Sequence, residues 1–100
     1  MTTTTGETSA ARADVLNALL VALMRSEEVL AEYHRDPDGL AIRHGLTDEE
    51  RERFKARDMG WLYVHGVHPY ILVQFALSLR YDMARYSQQV REAVAQARVA

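Results

Sequence analysis

The sequence predicts an all-α protein, an orthogonal bundle of four to five helices in which the first and last helices are long. Apolar residues recur three and four positions apart over two long stretches, which is the spacing of one helix face. No segment alternates apolar and polar residues for long enough to indicate a strand. With 100 residues, 48% of them hydrophobic, the chain suffices for one modest core, and we predict a single domain over residues 10–100.

The first long helix follows a polar tail. Residues 1–9 are Thr-rich and polar, and their composition predicts a disordered tail. From Ala10 to about Tyr33 no Gly or Pro interrupts the chain, and apolar residues repeat at helical spacing. The residues that define this face best are Leu16, Leu20 and Leu23.

Three local signals divide the middle of the chain. Asp36-Pro37 ends the first helix and starts a short one, because proline prefers the first helical turn and disfavours helical geometry before it. Thr47 and Glu50 have the spacing of a capping box, in which each side chain binds the backbone N–H of the other residue. The helix that they start is expected to restart near residue 58, and Gly60 predicts a kink.

The last helix is predicted to run from Pro69 to near the C-terminus, after a turn in which His68 is the cap. Its apolar positions alternate four and three residues apart, the spacing of a helix–helix seam. These positions are Leu72, Ala76, Leu79, Met83, Tyr86, Val90, Ala93 and Ala97. The seam from Met83 to Ala97 extends beyond the expected core, so we predict that it pairs with a second copy. The competing prediction is that the first helix folds back along it.

Composition argues against several classes of function. The formal net charge is -2, and no basic stripe indicates binding to nucleic acid or to a membrane surface. The absence of cysteine removes disulfides, thiolate metal sites and cysteine nucleophiles. The first ten residues lack the features of a signal peptide, and the longest apolar run is too short for a bilayer. We therefore expect a cytoplasmic protein.

The residues around the turn are the candidates for chemistry. His65 and His68 lie three residues apart, but an iron or zinc site needs a third ligand. An exposed His65 and a capping His68 explain the pair better, so we predict no catalytic residue and no metal site in this chain. Trp61, Tyr63 and Tyr70 either form the edge of a pocket for a flat ring or pack against the start of the last helix.

The stretch from Gly45 to Ala76 carries a family resemblance. Its pattern is a Leu-Thr helix start at Leu46, an Arg57-Asp58 pair, an apolar helix, Gly66 with a short turn, and Tyr70 at the start of another apolar helix. Upstream, the Leu-x-x-Leu-Met of residues 20–24 fits the same pattern. Together these elements resemble the small-subunit (LigA-type) family of LigAB-type extradiol ring-cleavage dioxygenases, over about Leu16 to Leu79.

The resemblance implies an enzyme that is built from two kinds of chain. A LigB-like large subunit would bind Fe(II) through two histidines and a carboxylate and open the aromatic ring. The small subunit would be helical, without a cofactor of its own, and would cap the cleft. By position, Arg57 and Asp58 match the Arg-Asp pair of the family, and Gly66 and Tyr70 match its turn. The predicted pocket or partner edge comprises Arg57, Asp58, Trp61, His65, Gly66, His68, Pro69 and Tyr70.

The chain departs from this pattern after Leu79. In the family that region is a loop that places an aromatic residue over the substrate, whereas the sequence from Arg80 onward predicts a helix. Two alternatives to an accessory dioxygenase subunit therefore stay open. One is a stand-alone helical interaction module that homodimerises through its C-terminal helix, and the other is a small ligand-binding domain that uses the turn from Gly66 to Tyr70. A large-subunit reading frame beside this one would favour the accessory subunit.

Overall fold

The computed structural model describes residues 4–99, with the side chains of residues 10–98, and within these limits the chain has helices and no strand. The seven helices are α1 (Thr4–Arg25), α2 (Glu27–Arg35), α3 (Pro37–Arg43), α4 (Asp48–Ala56), α5 (Met59–Val64), α6 (Pro69–Ser78) and α7 (Met83–Val99). The predicted all-α class is confirmed. In the described part of the chain, no helix has the length and apolar character needed to cross a membrane.

The predicted first helix is two helices, α1 and α2. Ser26 has an extended backbone, and its hydroxyl accepts a hydrogen bond from the Val29 N–H at 3.2 Å, so it caps α2 where α1 ends. The apolar spacing continues across this cap and gives no sign of it. At the other end, α1 begins at Thr4, six residues before the predicted start at Ala10. Residues 1–3 of the predicted tail lie outside the described residues, and disorder of the tail stays a prediction.

The prediction of one continuous helix from Pro69 to the C-terminus is wrong, because α6 ends before α7 begins. Arg80 adopts a left-handed conformation with φ 56°, and the Tyr81 N–H donates to the Ala76 carbonyl at 2.9 Å. This is the hydrogen bond of a Schellman helix end. Asp82 then accepts a bond from the Ala84 N–H at 3.0 Å and starts α7. The apolar seam is therefore divided between two helices.

The core lies between α1 and the aromatic side chains of α2, α4 and α6. The Tyr33 ring meets Phe54 edge-on at a centroid distance of 5.0 Å, and Phe54 stacks on Phe75 at 6.0 Å. All three rings are buried. The leucines of the predicted first face are buried with them, together with Leu19. The core leucines of α1 are Leu16, Leu19, Leu20 and Leu23.

Helix α7 packs against α5 rather than against the first helix. A Cβ atom on Gly60 would lie 2.5 Å from the Gln89 carbonyl oxygen and 2.8 Å from the Ala93 Cβ. Gly60 thus permits the close approach of two helices. The predicted restart near residue 58 is the break between α4 and α5, where Asp58 caps α5. Of the seam residues, Met83, Tyr86 and Val90 pack on the core, Ala93 is half-buried and Ala97 is exposed. Self-association through this seam stays a prediction.

Candidate functional site

The turn between α5 and α6, residues 65–68, is held against α1. Gly66 has φ 101°, and a Cβ on it would meet the Ala13 Cβ at 2.7 Å. The Asn17 side-chain amide donates to the Gly66 carbonyl at 3.0 Å and to the Ala13 carbonyl at 2.9 Å. The amide oxygen of Asn17 accepts from the His68 N–H at 2.8 Å. One side chain of α1 therefore binds both sides of the turn.

His68 and Pro69 begin α6 as predicted. The His68 Nδ1 accepts a hydrogen bond from the Tyr70 N–H at 3.1 Å, and Pro69 occupies the first turn. Tyr70 is 61% exposed, so its ring does not belong to the core. Trp61 and Tyr63, by contrast, are partly buried against the core. The three aromatic residues around the turn thus separate into two that pack inward and one that faces solvent.

Trp61 and His65 form a stacked pair at one edge of the domain. Their ring centroids are 3.8 Å apart with an interplanar angle of 14°, and the His65 Nδ1–H donates to the Trp61 carbonyl at 2.9 Å. The Arg53 guanidinium carbon lies 5.8 Å from the Trp61 ring centroid, close enough for a cation–π contact. Arg53 also pairs with Asp58 at 2.8 Å, and Asp58 accepts from the Trp61 N–H and caps α5.

An open groove of about 410 Å³ lies beside this stacked pair, between α5 and α7. The ion pair of Arg53 and Asp58 lines one part of it, and small residues of α7 line another. Trp61 and His65 also line a second cavity of about 140 Å³, together with Arg12 and other residues of α1 and α4. The stacked pair therefore separates an open groove from a smaller cavity.

Arg57 does not join the groove residues that follow it in sequence. It adopts a left-handed conformation with φ 57° at the end of α4, and its Nε–H donates to the Tyr33 hydroxyl at 3.0 Å. Burial raises the pKa of Tyr33, and the hydrogen bond from Arg57 opposes part of that increase. Of the predicted Arg-Asp pair, Arg57 thus binds the core aromatic cluster while Asp58 lines the groove.

A partly buried ion pair that lines the smaller cavity joins α1 to α4. Glu50 is 5% exposed and accepts two hydrogen bonds from Arg12, at 2.5 and 2.9 Å. Arg12 also donates to the Gly45 carbonyl at 2.6 Å, and Glu50 accepts from the Thr47 N–H at 2.8 Å. Burial alone would raise the pKa of Glu50, but the bonds from Arg12 and Thr47 outweigh it and lower that pKa.

Two of the contacts that build the site were missing from the sequence prediction. The long-range partners of Asn17 and Arg12 were not recognised, because they lie 33 to 51 positions away in the chain. Arg53 was also missed, although it is close to Trp61 in sequence and lies on the neighbouring helix, α4. The capping box identified Glu50 correctly as a helix-start residue but gave no sign of its pairing with Arg12.

His65 and His68 each form a hydrogen bond with a backbone group through one ring nitrogen. Both Nδ1 atoms are engaged by backbone groups, His65 with the Trp61 carbonyl and His68 with the Tyr70 N–H. Over the part of the chain that the structure describes, no three His, Asp or Glu side chains are grouped so that they could hold a metal ion.

One comparison with known proteins finds a match. The family model described as "Aromatic-ring-opening dioxygenase LigAB, LigA subunit" matches residues 16–97. Most of helix α7, which follows the part of the sequence that carries the resemblance, lies inside this segment. Searches of the curated proteins and of the solved structures returned no match.

Proposed function

Because this chain belongs to the LigA subunit family of the LigAB aromatic-ring-opening dioxygenases, we propose that it is a non-catalytic small subunit that caps the active-site cleft of a separate large subunit. The large subunit would hold the Fe(II) and open a catechol-like ring. The present chain would bind that subunit, border the substrate pocket and exclude water from it.

The observation that carries this proposal is an uncharged, partly exposed face on α6, next to the turn. Helix α6 contains no charged residue, yet Tyr70 is 61% and Leu77 is 52% exposed. The two residues are seven positions apart and therefore lie on the same face of the helix. Buried centres of protein interfaces are poor in charged residues and rich in aromatic ones. This face has the composition expected of a surface that another subunit covers.

The groove between α5 and α7 supports the proposal that this chain borders the substrate pocket. Trp61 and His65 present a flat, rigid pair, and Arg53 with Asp58 supplies charged hydrogen-bonding groups beside it. If the large subunit covers this side as well, these residues would contact bound substrate or the loops around it. None of them needs to transfer a proton or bind the metal for such a role.

The experiment combines the full chain with the LigB-type large subunit of the same genome. Isothermal titration calorimetry measures binding, and ring-cleavage assays on a panel of catechols measure activity. We expect a stable complex and a higher rate of cleavage when the chain is added. Tyr70→Ala should weaken binding by about tenfold, the scale of an exposed aromatic anchor. Ile42→Ala is the matched control, because Ile42 is a 54% exposed apolar residue on α3. Absence of both binding and rate enhancement would refute the proposal.

The groove favours a second candidate, a small ligand-binding domain. A volume of about 410 Å³ falls within the range of small-molecule sites. In that case the isolated chain would bind a planar ligand with quenching of Trp61 fluorescence, and Tyr70→Ala would leave this binding unchanged.

A homodimer through α7 would instead appear in sedimentation of the isolated chain, and Ala97→Glu would abolish it.

A further inference from the structure

We propose that His68 is a recognition residue, which presents its Nε2–H as a hydrogen-bond donor to an oxygen atom of the large subunit, and that Asn17 is the residue that positions it. This role rests on the proposed function above, because it assumes a large subunit that covers the turn. It adds the atom that is recognised and the chemistry of the group that binds it, a backbone carbonyl or a carboxylate.

The tautomer of His68 follows from its hydrogen bond to the backbone. The Tyr70 N–H can only donate, so the Nδ1 that it meets at 3.1 Å must accept and carries no proton. The neutral ring then carries its proton on Nε2, the nitrogen on the other side of the imidazole. Because His68 is exposed, that N–H is a donor available at the surface.

His65 has the opposite arrangement, three residues earlier. Its Nδ1 lies 2.9 Å from the Trp61 carbonyl, and a carbonyl can only accept. The proton of the neutral ring is therefore on Nδ1, and the Nε2 is an acceptor. The two imidazoles of this turn thus differ in the hydrogen-bonding character of Nε2, and backbone groups determine both. His65 provides an internal reference for a measurement on His68.

Asn17 fixes the backbone from which the imidazole projects. Its amide binds Gly66 on one side of the turn and the His68 N–H on the other, at 3.0 and 2.8 Å. With both the backbone and the ring orientation held before binding, little conformational freedom remains to be lost when a partner binds. The bond from the Tyr70 N–H that orients the imidazole is also the cap of α6.

The first experiment is nitrogen-15 NMR of the full chain at alkaline pH, where imidazoles are neutral. We expect the Nε2–H tautomer for His68 and the Nδ1–H tautomer for His65. Asn17→Ala should convert His68 to a mixture of tautomers and leave His65 unchanged. A wild-type His68 with its proton on Nδ1, or with an even mixture, would overturn the proposal whatever the large subunit does.

The second experiment separates the two nitrogen atoms of His68 by isosteric substitution. In His68→Asn, Oδ1 takes the place of Nδ1, so the cap is kept and the Nε2–H is lost. In His68→Gln, the amide N–H takes the place of the Nε2–H, while the cap is lost. We expect His68→Asn to retain the melting temperature but to bind the large subunit roughly threefold to tenfold more weakly, the scale of one hydrogen bond. His68→Gln should melt lower and bind within about twofold of wild type.

The outcomes of this binding experiment distinguish the two proposals. If the wild-type chain does not bind the large subunit at all, the proposed function fails and the role of His68 fails with it. If wild type binds and His68→Asn binds equally well, the role of His68 is wrong while the proposed function stands. Equal weakening in both variants would show that the partner does not recognise the Nε2–H, and would also overturn this proposal.

Discussion

Gly60 of α5 lies directly beneath the backbone of Gln89 in α7, so that a Cβ at residue 60 would be 2.5 Å from the Gln89 carbonyl oxygen. The atom in contact belongs to the backbone of a helix, so it cannot move aside as a flexible side chain would. This relationship explains why glycine is found within the short helix α5. It also gives the first of five predictions about the folded domain.

Gly60→Ala should destabilise the domain, although the same change in an exposed helix would stabilise it. The added methyl group forces α5 and α7 apart, and overpacking of this kind costs about 1–3 kcal/mol. The gain in helix propensity returns only about 1 kcal/mol. Urea denaturation measures the difference. A rise in the free energy of unfolding would show that α7 does not approach α5 as closely as described.

Arg12→Ala should destabilise the domain by about 2 kcal/mol, the scale of hydrogen bonds to a charged group. The change leaves the Glu50 carboxylate, which is 5% exposed, without its cation. Arg85→Ala is a control, because Arg85 is exposed on α7. Comparable melting temperatures for the two variants would mean that the pair of Arg12 and Glu50 contributes no more than a surface charge.

The same pair predicts how stability depends on pH. The pKa of Glu50 is lower in the folded chain than its ordinary value of about 4.5. Its contribution is therefore fully present above that value and is lost as pH falls through the lower pKa of the folded state. The difference in unfolding free energy between wild type and Glu50→Gln should accordingly shrink below about pH 4. A difference that stays constant down to pH 2 would contradict the lowered pKa.

Gly66→Ala should destabilise the domain by about 2 kcal/mol or more, because a positive φ and a close contact act together. The φ of Gly66 is 101°, and its added Cβ would meet the Ala13 Cβ at 2.7 Å. Combining it with Ala13→Gly removes the contact but not the backbone strain. We expect this double variant to be more stable than the sum of the two single variants, measured by denaturation. If the effects of the two substitutions simply add, Ala13 does not lie against the turn at residue 66.

Thr47→Ala should destabilise the domain by about 1 kcal/mol, the usual cost of losing a helix cap. Thr47 accepts from the Glu50 N–H at 3.2 Å, and both hydrogen bonds of the predicted capping box are present. Thr47→Ser keeps the hydroxyl and should restore most of the stability. If thermal melting of the alanine variant matches wild type, the cap makes no net contribution.

Four helix ends show which parts of this fold a sequence can reveal. α3, α4, α5 and α6 all end with a residue of positive φ, and the following N–H binds a carbonyl five residues back. At Gly45 and Gly66 the residue type itself predicts such an end, because glycine alone adopts this conformation without strain. At Arg57 and Arg80 nothing in the residue type indicates it. The predicted single last helix failed at Arg80 for this reason.

The features that could be predicted from the sequence were local: the helical class, the capping box at Thr47, the start of α6 at Pro69 and the place of the turn. Each depends on residues within four positions of one another, and such spacing can be seen in the chain. Three other features became visible only in the folded chain: Asn17 holds the turn, Arg12 pairs with Glu50, and α7 covers α5. These contacts join residues some 30 to 50 positions apart, and their partners are selected by the packing of whole helices, which leaves no periodic trace in the sequence.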